Sequence, residues 1–480
     1  MMFFFNPPFT AYLAASWYLI QLNTDCYKIV NTALLYSVCI CCCFCFVILL
    51  TFILWRQRTF LVDVERSIVQ LIADFTFSRV HLAIRFISWI NGYNQFSEEQ
   101  CQKDIVIVSI CTNGLGHLHQ AMRVLSVLKK RRDFTATVAV VAKRSKLPSY
   151  ANVFLEEYGF KEIIDLDFEL DYEGGNNGTD TKINNLKLMF LFCYSFIFYG
   201  VSLFGTIGHV LEKYRPRVLL SFFEPTIATF VNAHNAPTNI ISAASQGSLN
   251  IGQDDLQKVL FFKLLWHANV GKKGKMIPFC QYPLENAIPQ IVNLPSPKAQ
   301  CSRSKTFTPG STQIPDDPTS TTPFFVAYSC MPMVLLPGII KLKKHRVILF
   351  AKHHTYWAKT CEKYTHILVL PRSPDFIHVL ASSAGLIAQP SRGVVTQAIA
   401  LGKPVYLFCP KGHVEQELNY KLYLSQYEGI ASPATLSIEE WEKKTYNLES
   451  QAQRMRSWLC QTDERILMKI GPLLPLHVYK

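Results

Sequence analysis

Between residues 102 and 130 the period of the apolar positions changes. Residues 104–110, Asp-Ile-Val-Ile-Val-Ser-Ile, form an almost unbroken apolar run of strand length. After a glycine turn, Ala121, Val124, Leu125 and Leu128 recur at helical spacing, while Arg123, Lys129, Lys130 and Arg131 point elsewhere. A second apolar run follows at 135–142. The order strand, turn, helix, strand predicts a parallel βαβ unit, and similar runs at 162–168 and 217–222 extend the sheet. A second series appears later, with short apolar runs at 324–328, 346–350, 366–370, 385–389 and 404–408 and helical segments between them. Residues 289–323 separate the two series and are rich in Pro, Ser and Thr with little periodicity, so they read as a linker.

The N-terminal 100 residues follow another pattern. Residues 33–55 are uncharged over 23 positions, enough to span a bilayer and too long for a cleaved signal peptide. Arg56, Arg58 and Arg66 follow this stretch, and the positive-inside rule then places the remainder on the cytosolic side. The shorter apolar stretch 9–22 could pair with it as a hairpin. Residues 66–90 mix apolar and basic positions at helical spacing, which suits a helix on an anionic membrane surface or one packed on the globular part. Residues 188–210 are long enough to span, but a crossing there would divide the first sheet, so a buried or membrane-docking helix is expected. Residues 171–181 are Gly- and Asn-rich and read as a loop; the Asn177-Gly-Thr sequon there would go unused in the cytosol. The expected organisation is an anchor and amphipathic segment (1–100), a Rossmann-like domain (101–288), the linker (289–323) and a second Rossmann-like domain (324–480).

Composition narrows the function classes. A net charge of +13 suits an anionic partner, yet the basic residues are scattered and no nucleic-acid motif is present. Membrane surface and nucleotide-sugar phosphate are the better matches. Five of the 15 cysteines fall in the apolar segment 33–55 and the others are dispersed without CxxC pairs, which argues for reduced thiols and against structural zinc.

The candidate chemistry begins at residues 111–122, Cys-Thr-Asn-Gly-Leu-Gly-His-Leu-His-Gln-Ala-Met. Gly114 and Gly116 fall at the carboxyl end of the first strand, where open α/β sheets hold ligands. His117 stands at the helix start, placed either as a general base or as a capping or core histidine. In the second series, residues 381–429 carry Gly393-Val-Val-Thr396-Gln397-Ala398-Ile-Ala-Leu-Gly402-Lys403-Pro404 and then Pro410-Lys-Gly412-His-Val-Glu415-Gln416-Glu-Leu-Asn419. The first series adds Ser221-Phe-Phe-Glu224-Pro225 and Ser245-Gln246.

These motifs, in this order, resemble the GT-B glycosyltransferases of the family that includes the galactolipid synthases and the N-acetylglucosamine transferase of peptidoglycan synthesis. The similarity is greatest to bacterial and archaeal relatives with a Gly-Asn-Gly-Leu-Gly-His turn. It covers about residues 104–435. The chain departs from the family at two points, with Gln397 where the family has glutamate and Phe222 where it has aspartate. The resemblance implies two Rossmann-like domains facing a cleft, and inverting transfer from a UDP-linked sugar without a metal or other cofactor. The acceptor expected is a lipid or lipid-linked glycan, and no nucleic-acid partner is implied. It gives His117 the role of base and makes Glu224 a second acid/base or acceptor-binding candidate, with helix capping as its alternative. Gly114, Gly116, Arg372, Ser391, Gly393, Thr396, Gln397, Glu415 and Gln416 become donor-site candidates. Asp165-Leu-Asp167 matches a metal-binding DxD only formally and reads as a solvated strand end, and His353-His354 reads as a polar loop. Two other classes stay open: an inactive membrane scaffold of the same fold, and a nucleotide-sugar epimerase.

Overall fold

The computed structural model describes residues 78–112, 115–130, 137–168, 202–244, 274–292, 323–373 and 375–475, with isolated positions between them. Val80–Lys480 form one compact unit. The stretches 9–22 and 33–55, residues 188–199, the sequon at Asn177, Gly114 and Ser245-Gln246 lie outside the described residues. Among the described residues no helix is long and apolar enough to cross a membrane.

The first lobe opens with helix α1 (residues 78–90) and strand β1 (Gln102–Ile110). Helix α2 (Leu115–Lys129), β2 (Val138–Val141), α3 (Ser149–Tyr158) and β3 (Glu162–Asp165) follow. Helix α4 (residues 202–214), β4 (Pro216–Phe222), α5 (Pro225–Ala233), β5 (Asn239–Ala244), β6 (Lys275–Cys280) and β7 (Ile288–Pro289) complete it. Among the described residues these strands form one sheet in the order β3-β2-β1-β4-β5-β6-β7, and every pairing is parallel. Alternation along β1 explains the continuous apolar run. Val106, Val108 and Ile110 pack on one face with Val124, Leu125 and Leu128 of α2, and Ile107 packs on the other with Phe204, Ile207 and Phe230. Each such aliphatic side chain contributes about 1.5–3 kcal/mol on full burial.

The second lobe repeats the plan. It contains β8 (Phe324–Ser329), α6 (Pro332–Ile339), β9 (Arg346–Ala351), α7 (His354–Cys361), β10 (Ile367–Pro371), α8 (Phe376–Ser382) and β11 (Gly385–Ala388). It continues with α9 (Arg392–Ala400), β12 (Val405–Leu407), α10 (Val414–Gln426) and β13 (Ile430–Ala431). The strand order β10-β9-β8-β11-β12-β13 is again parallel throughout. Gly402 ends α9 with φ of 66°, the left-handed value that closes a helix most readily with glycine. The two parallel sheets with their crossover helices make two Rossmann-like lobes.

Helices α11 (Ile438–Trp441), α12 (Glu449–Leu459) and α13 (Thr462–Lys469) close the chain. The last of them corrects the boundary drawn at 324–480. Ile466, Ile470 and Leu474 enter the core of the first sheet, and Arg123 of α2 pairs with Asp463 at 2.7 Å. Apolar periodicity marks a buried face without saying which lobe covers it. Of the apolar run 188–210, the described part belongs to α4. It buries Leu203, Phe204, Ile207, Val210 and Leu211 and exposes Ser202, Thr206, His209 and Lys213, as a helix packed on a domain does.

Helix α1 is seated on the first lobe through Ile84 and Ser88, both buried. Arg85 Nε donates to the Ala233 carbonyl, and the Ser88 hydroxyl lies 2.9 Å from His234 Nε2. Burial holds His234 down to about 4, and the charges of Arg85 and His81 push the same way. Its neutral form is thus favoured by folding. That stability is present above the ordinary histidine value near 6.5 and is lost as the pH falls through about 4. The thermal unfolding midpoint should therefore drop between pH 6.5 and 4, and His234→Gln, which keeps a partner for Ser88, should make the drop shallower. An unchanged slope in the variant would remove His234 as its source.

Candidate functional site

In both sheets the strand order reverses direction at one point, between β1 and β4 and between β8 and β11. The loops leaving the carboxyl ends of such neighbours diverge and leave a crevice. The turn before His117 leaves β1 and Phe223-Glu224 leaves β4; Ser391 to Gly393 leaves β11, and Glu415-Gln416 follows β12.

His117 lies in the first turn of α2, half-buried, with Nδ1 sealed from solvent. Its ring stacks on Phe223, with centroids 4.7 Å apart and planes 16° from parallel. Burial lowers the imidazole below its ordinary value, while the Glu415 carboxylate and the Gln120 side chain oppose that shift. The ring is thereby kept neutral near pH 7, the form a general base requires. Glu415 belongs to the other lobe and acts on His117 through its charge. Phe223 sits at φ of 58°, a left-handed conformation unfavourable for a bulky residue by on the order of 1–3 kcal/mol. The strand-to-helix turn between Phe222 and Pro225 thus delivers the ring to His117 at the expense of backbone strain.

Glu224 caps α5. Its carboxylate accepts from the backbone N–H groups of Thr226 at 3.1 Å and Ile227 at 3.3 Å, and from the Thr226 hydroxyl. Burial raises its proton affinity and these bonds oppose the rise. Glu224→Ala should cost about 0.5–2 kcal/mol in denaturant unfolding, the range for losing an N-cap. A neutral substitution would argue against the cap. Phe222 is fully buried, so this side chain lies in the core.

In the second lobe, Ser391 occupies the N-cap position of α9 in an extended conformation (φ −79°, ψ 141°), and its side chain makes no bond to the first turn. A methyl group added at Gly393 would meet no protein atom within 4 Å, and the same holds at Gly116 in α2. Neither glycine is demanded by protein packing or by a positive φ. Both leave a helix start open to space, and helix starts carry unsatisfied N–H groups and a partial positive charge. Thr396, expected among the donor-site residues, is fully buried on the inward face of α9 beside Tyr423. Gln397 is half-buried on the same helix. Arg372 leaves the end of β10 and lies over the Tyr328 ring at 5.2 Å, more enclosed than a plain surface arginine. Gln416 is half-buried in the first turn of α10, and its side-chain oxygen is buried without a hydrogen-bond partner.

Three consecutive carbonyls of the first lobe tie it to the second. Phe279 O accepts from Arg392 at 3.2 Å, Cys280 O from Trp458 Nε1 at 3.0 Å, and Gln281 O from the Tyr427 hydroxyl at 3.2 Å. Arg392 Nε also donates to Asn419 Oδ1 at 3.0 Å, and Asn419 donates to Pro390 O at 3.0 Å. Arg392 and Asn419 therefore link the α9 and α10 starts to each other and to the opposite lobe. Sequence reasoning gave Arg392 and Phe223 no role. The only signal available was an arginine wedged between Ser391 and Gly393 at a helix start.

Asp165 accepts from the backbone N–H groups of Arg144 at 3.0 Å and Asp167 at 2.9 Å, and Asp167 pairs with Lys143 at 2.9 Å. These contacts make the pair a structured strand end. Among the described residues no group of three or more His, Cys, Asp or Glu is placed to hold a metal ion. His353 is exposed beside the start of α7, as a polar loop would have it.

No family profile and no curated protein matches the chain. Solved structures of similar outline include CalG4, the calicheamicin glycosyltransferase, with 14% identity and a TM-score of 0.47 over 77% of this chain and 97% of that one. MurG of Acinetobacter baumannii aligns with 12% identity and a TM-score of 0.42 over 77% and 99%. The UDP-GlcNAc 2-epimerase of Neisseria meningitidis, bound to UDP-GlcNAc, aligns with 11% identity and a TM-score of 0.40 over 77% and 100%.

Proposed function

We propose that the chain is a membrane-anchored glycosyltransferase that moves a sugar from a UDP-linked donor to a hydroxyl of a lipid or lipid-linked acceptor. The observation that carries this reading is the His117 ring stacked on Phe223 where the strand order of the first sheet reverses, with the charge of Glu415 from the other lobe acting on it. The acceptor oxygen attacks the anomeric carbon, its proton passes to His117 Nε2, and the bond to the diphosphate breaks with inversion. As the imidazole becomes charged, the Glu415 carboxylate stabilises it. The open first turns at Gly393 and Gly116 suit the approach of a diphosphate, whose departing charge the N–H groups of α9 would bind. Ser391, Gln397, Arg372 and the unpartnered Gln416 oxygen supply polar groups for ribose, phosphate and sugar hydroxyls.

The test is transfer of label from UDP-sugars to a lipid extract by the full chain in membranes. Labelled lipid that disappears in His117→Ala supports the reading. Release of an epimerised sugar without lipid labelling would favour the epimerase class, and no product of either kind would favour the scaffold.

A further inference from the structure

Helix α1 has two apolar faces, and among the described residues only one of them has a partner. Ile84 and Ser88 are buried against the first lobe, and Tyr93 just beyond stacks edge-on against Phe230 and His234. On the opposite side Leu82, Phe86, Trp89 and Ile90 form a continuous ridge at helical spacing, 52%, 37%, 67% and 57% exposed. The rings of Phe86 and Trp89 lie 6.1 Å apart and stack. Helix α4, on the same lobe, shows the usual alternative, since its outer face is Ser202, Thr206, His209 and Lys213. Elsewhere among the described residues, the exposed large apolar side chains stand singly on separate elements. A contiguous apolar ridge on a helix already docked through its other side marks an interaction surface.

We infer that this ridge lies in the interface of an anionic bilayer and seats the first lobe on it. The inference rests in part on the reading of residues 33–55 as a membrane span. Only the 22 residues 56–77 separate that stretch from α1 along the chain. Arg56, Arg58 and Arg66 lie in the connection and Arg79 at the start of α1, a polybasic approach that suits acidic headgroups. Tryptophan beside Leu, Ile and Phe is the composition of a helix lying at headgroup depth. The seating also has a consequence for the acceptor. Helix α5 begins at Glu224, next to the Phe223 ring on His117, and ends at Ala233, whose carbonyl accepts from Arg85 of α1. A helix of nine residues is about 13 Å long. A ridge at headgroup level would therefore hold the His117 crevice close to the lipid hydroxyls it is proposed to deprotonate.

The test uses the full chain reconstituted into vesicles of phosphatidylcholine and phosphatidylglycerol that carry a diazirine phospholipid. After irradiation, adducts are mapped by peptide mass spectrometry. Adducts on residues 82–90 are expected, reduced severalfold in vesicles of phosphatidylcholine alone. The combined variant Leu82→Gln, Phe86→Gln, Trp89→Gln, Ile90→Gln should lose them while keeping its thermal midpoint and its UDP affinity. Adducts confined to residues 33–55 would overturn the inference, as would protection of the ridge by a second copy captured with a protein cross-linker. Labelling of 82–90 without labelling of 33–55 would instead reject the span and leave the ridge in place. Equal labelling in both lipid compositions would reject the acidic headgroup as its partner.

Discussion

His117→Ala is expected to lower turnover by about 10²–10⁴-fold, the range for removing a positioned general base. Nucleotide affinity should change little, because the diphosphate is proposed to meet the start of α9 on the other lobe, while the His117 ring stacks on Phe223. The pH profile carries a second signature. Burial holds His117 below its ordinary value, so activity should persist into mildly acidic solution before protonation removes the base. Glu415→Gln removes the opposing field and should extend that acid limit further while reducing the maximal rate, since the imidazolium formed in the reaction loses its stabilising charge. An acid limit that stays in place in Glu415→Gln would separate the two residues. Phe223→Gly offers a control on the geometry. It relieves the positive φ and releases the ring from His117, so impaired turnover with little loss of stability is the pattern that strained positioning predicts.

Gly393→Ala should make the protein more stable and a poorer catalyst. The site is in the first turn of α9, has space for a methyl group and needs no positive φ. Alanine there should add about 0.5–1 kcal/mol through helix propensity, read as a higher thermal midpoint. If the diphosphate approaches this turn, the added carbon occupies its path, and UDP affinity should fall on the order of 10–100-fold, about 1.4–2.7 kcal/mol. Gly116→Ala is expected to behave in the same way, with a smaller loss of affinity. A stabilised protein with unchanged UDP affinity would show that the diphosphate lies elsewhere.

The two sheets were readable because each buried parallel strand is a short apolar run set between helical periods, as residues 104–110 followed by Ala121, Val124, Leu125 and Leu128 illustrate. The candidate site was readable only as positions in chain order: a turn after β1, a helix start after β11, a loop after β12. Direction was not readable. The motif spacing put Thr396 on the donor helix, but the rotation of α9 turns it into the core. Glu224, before Pro225, was readable as a helix cap as well as an acid, and only the fold shows its carboxylate accepting from two backbone N–H groups. Phe223 escaped notice because phenylalanine is not a residue expected at positive φ, and Arg392 because its partner Phe279 O lies 113 positions away in the chain. The return of Ile466, Ile470 and Leu474 to the first lobe is likewise a matter of long-range packing, which local periodicity does not contain.

The central claim is that the second lobe binds a nucleoside diphosphate at the start of α9. Calorimetric titration of UDP and GDP into the full chain tests it most directly, with His117→Ala and Gly393→Ala alongside. The account predicts binding selective for UDP, retained in His117→Ala and weakened in Gly393→Ala. Absence of binding by either nucleotide at millimolar concentration would contradict it.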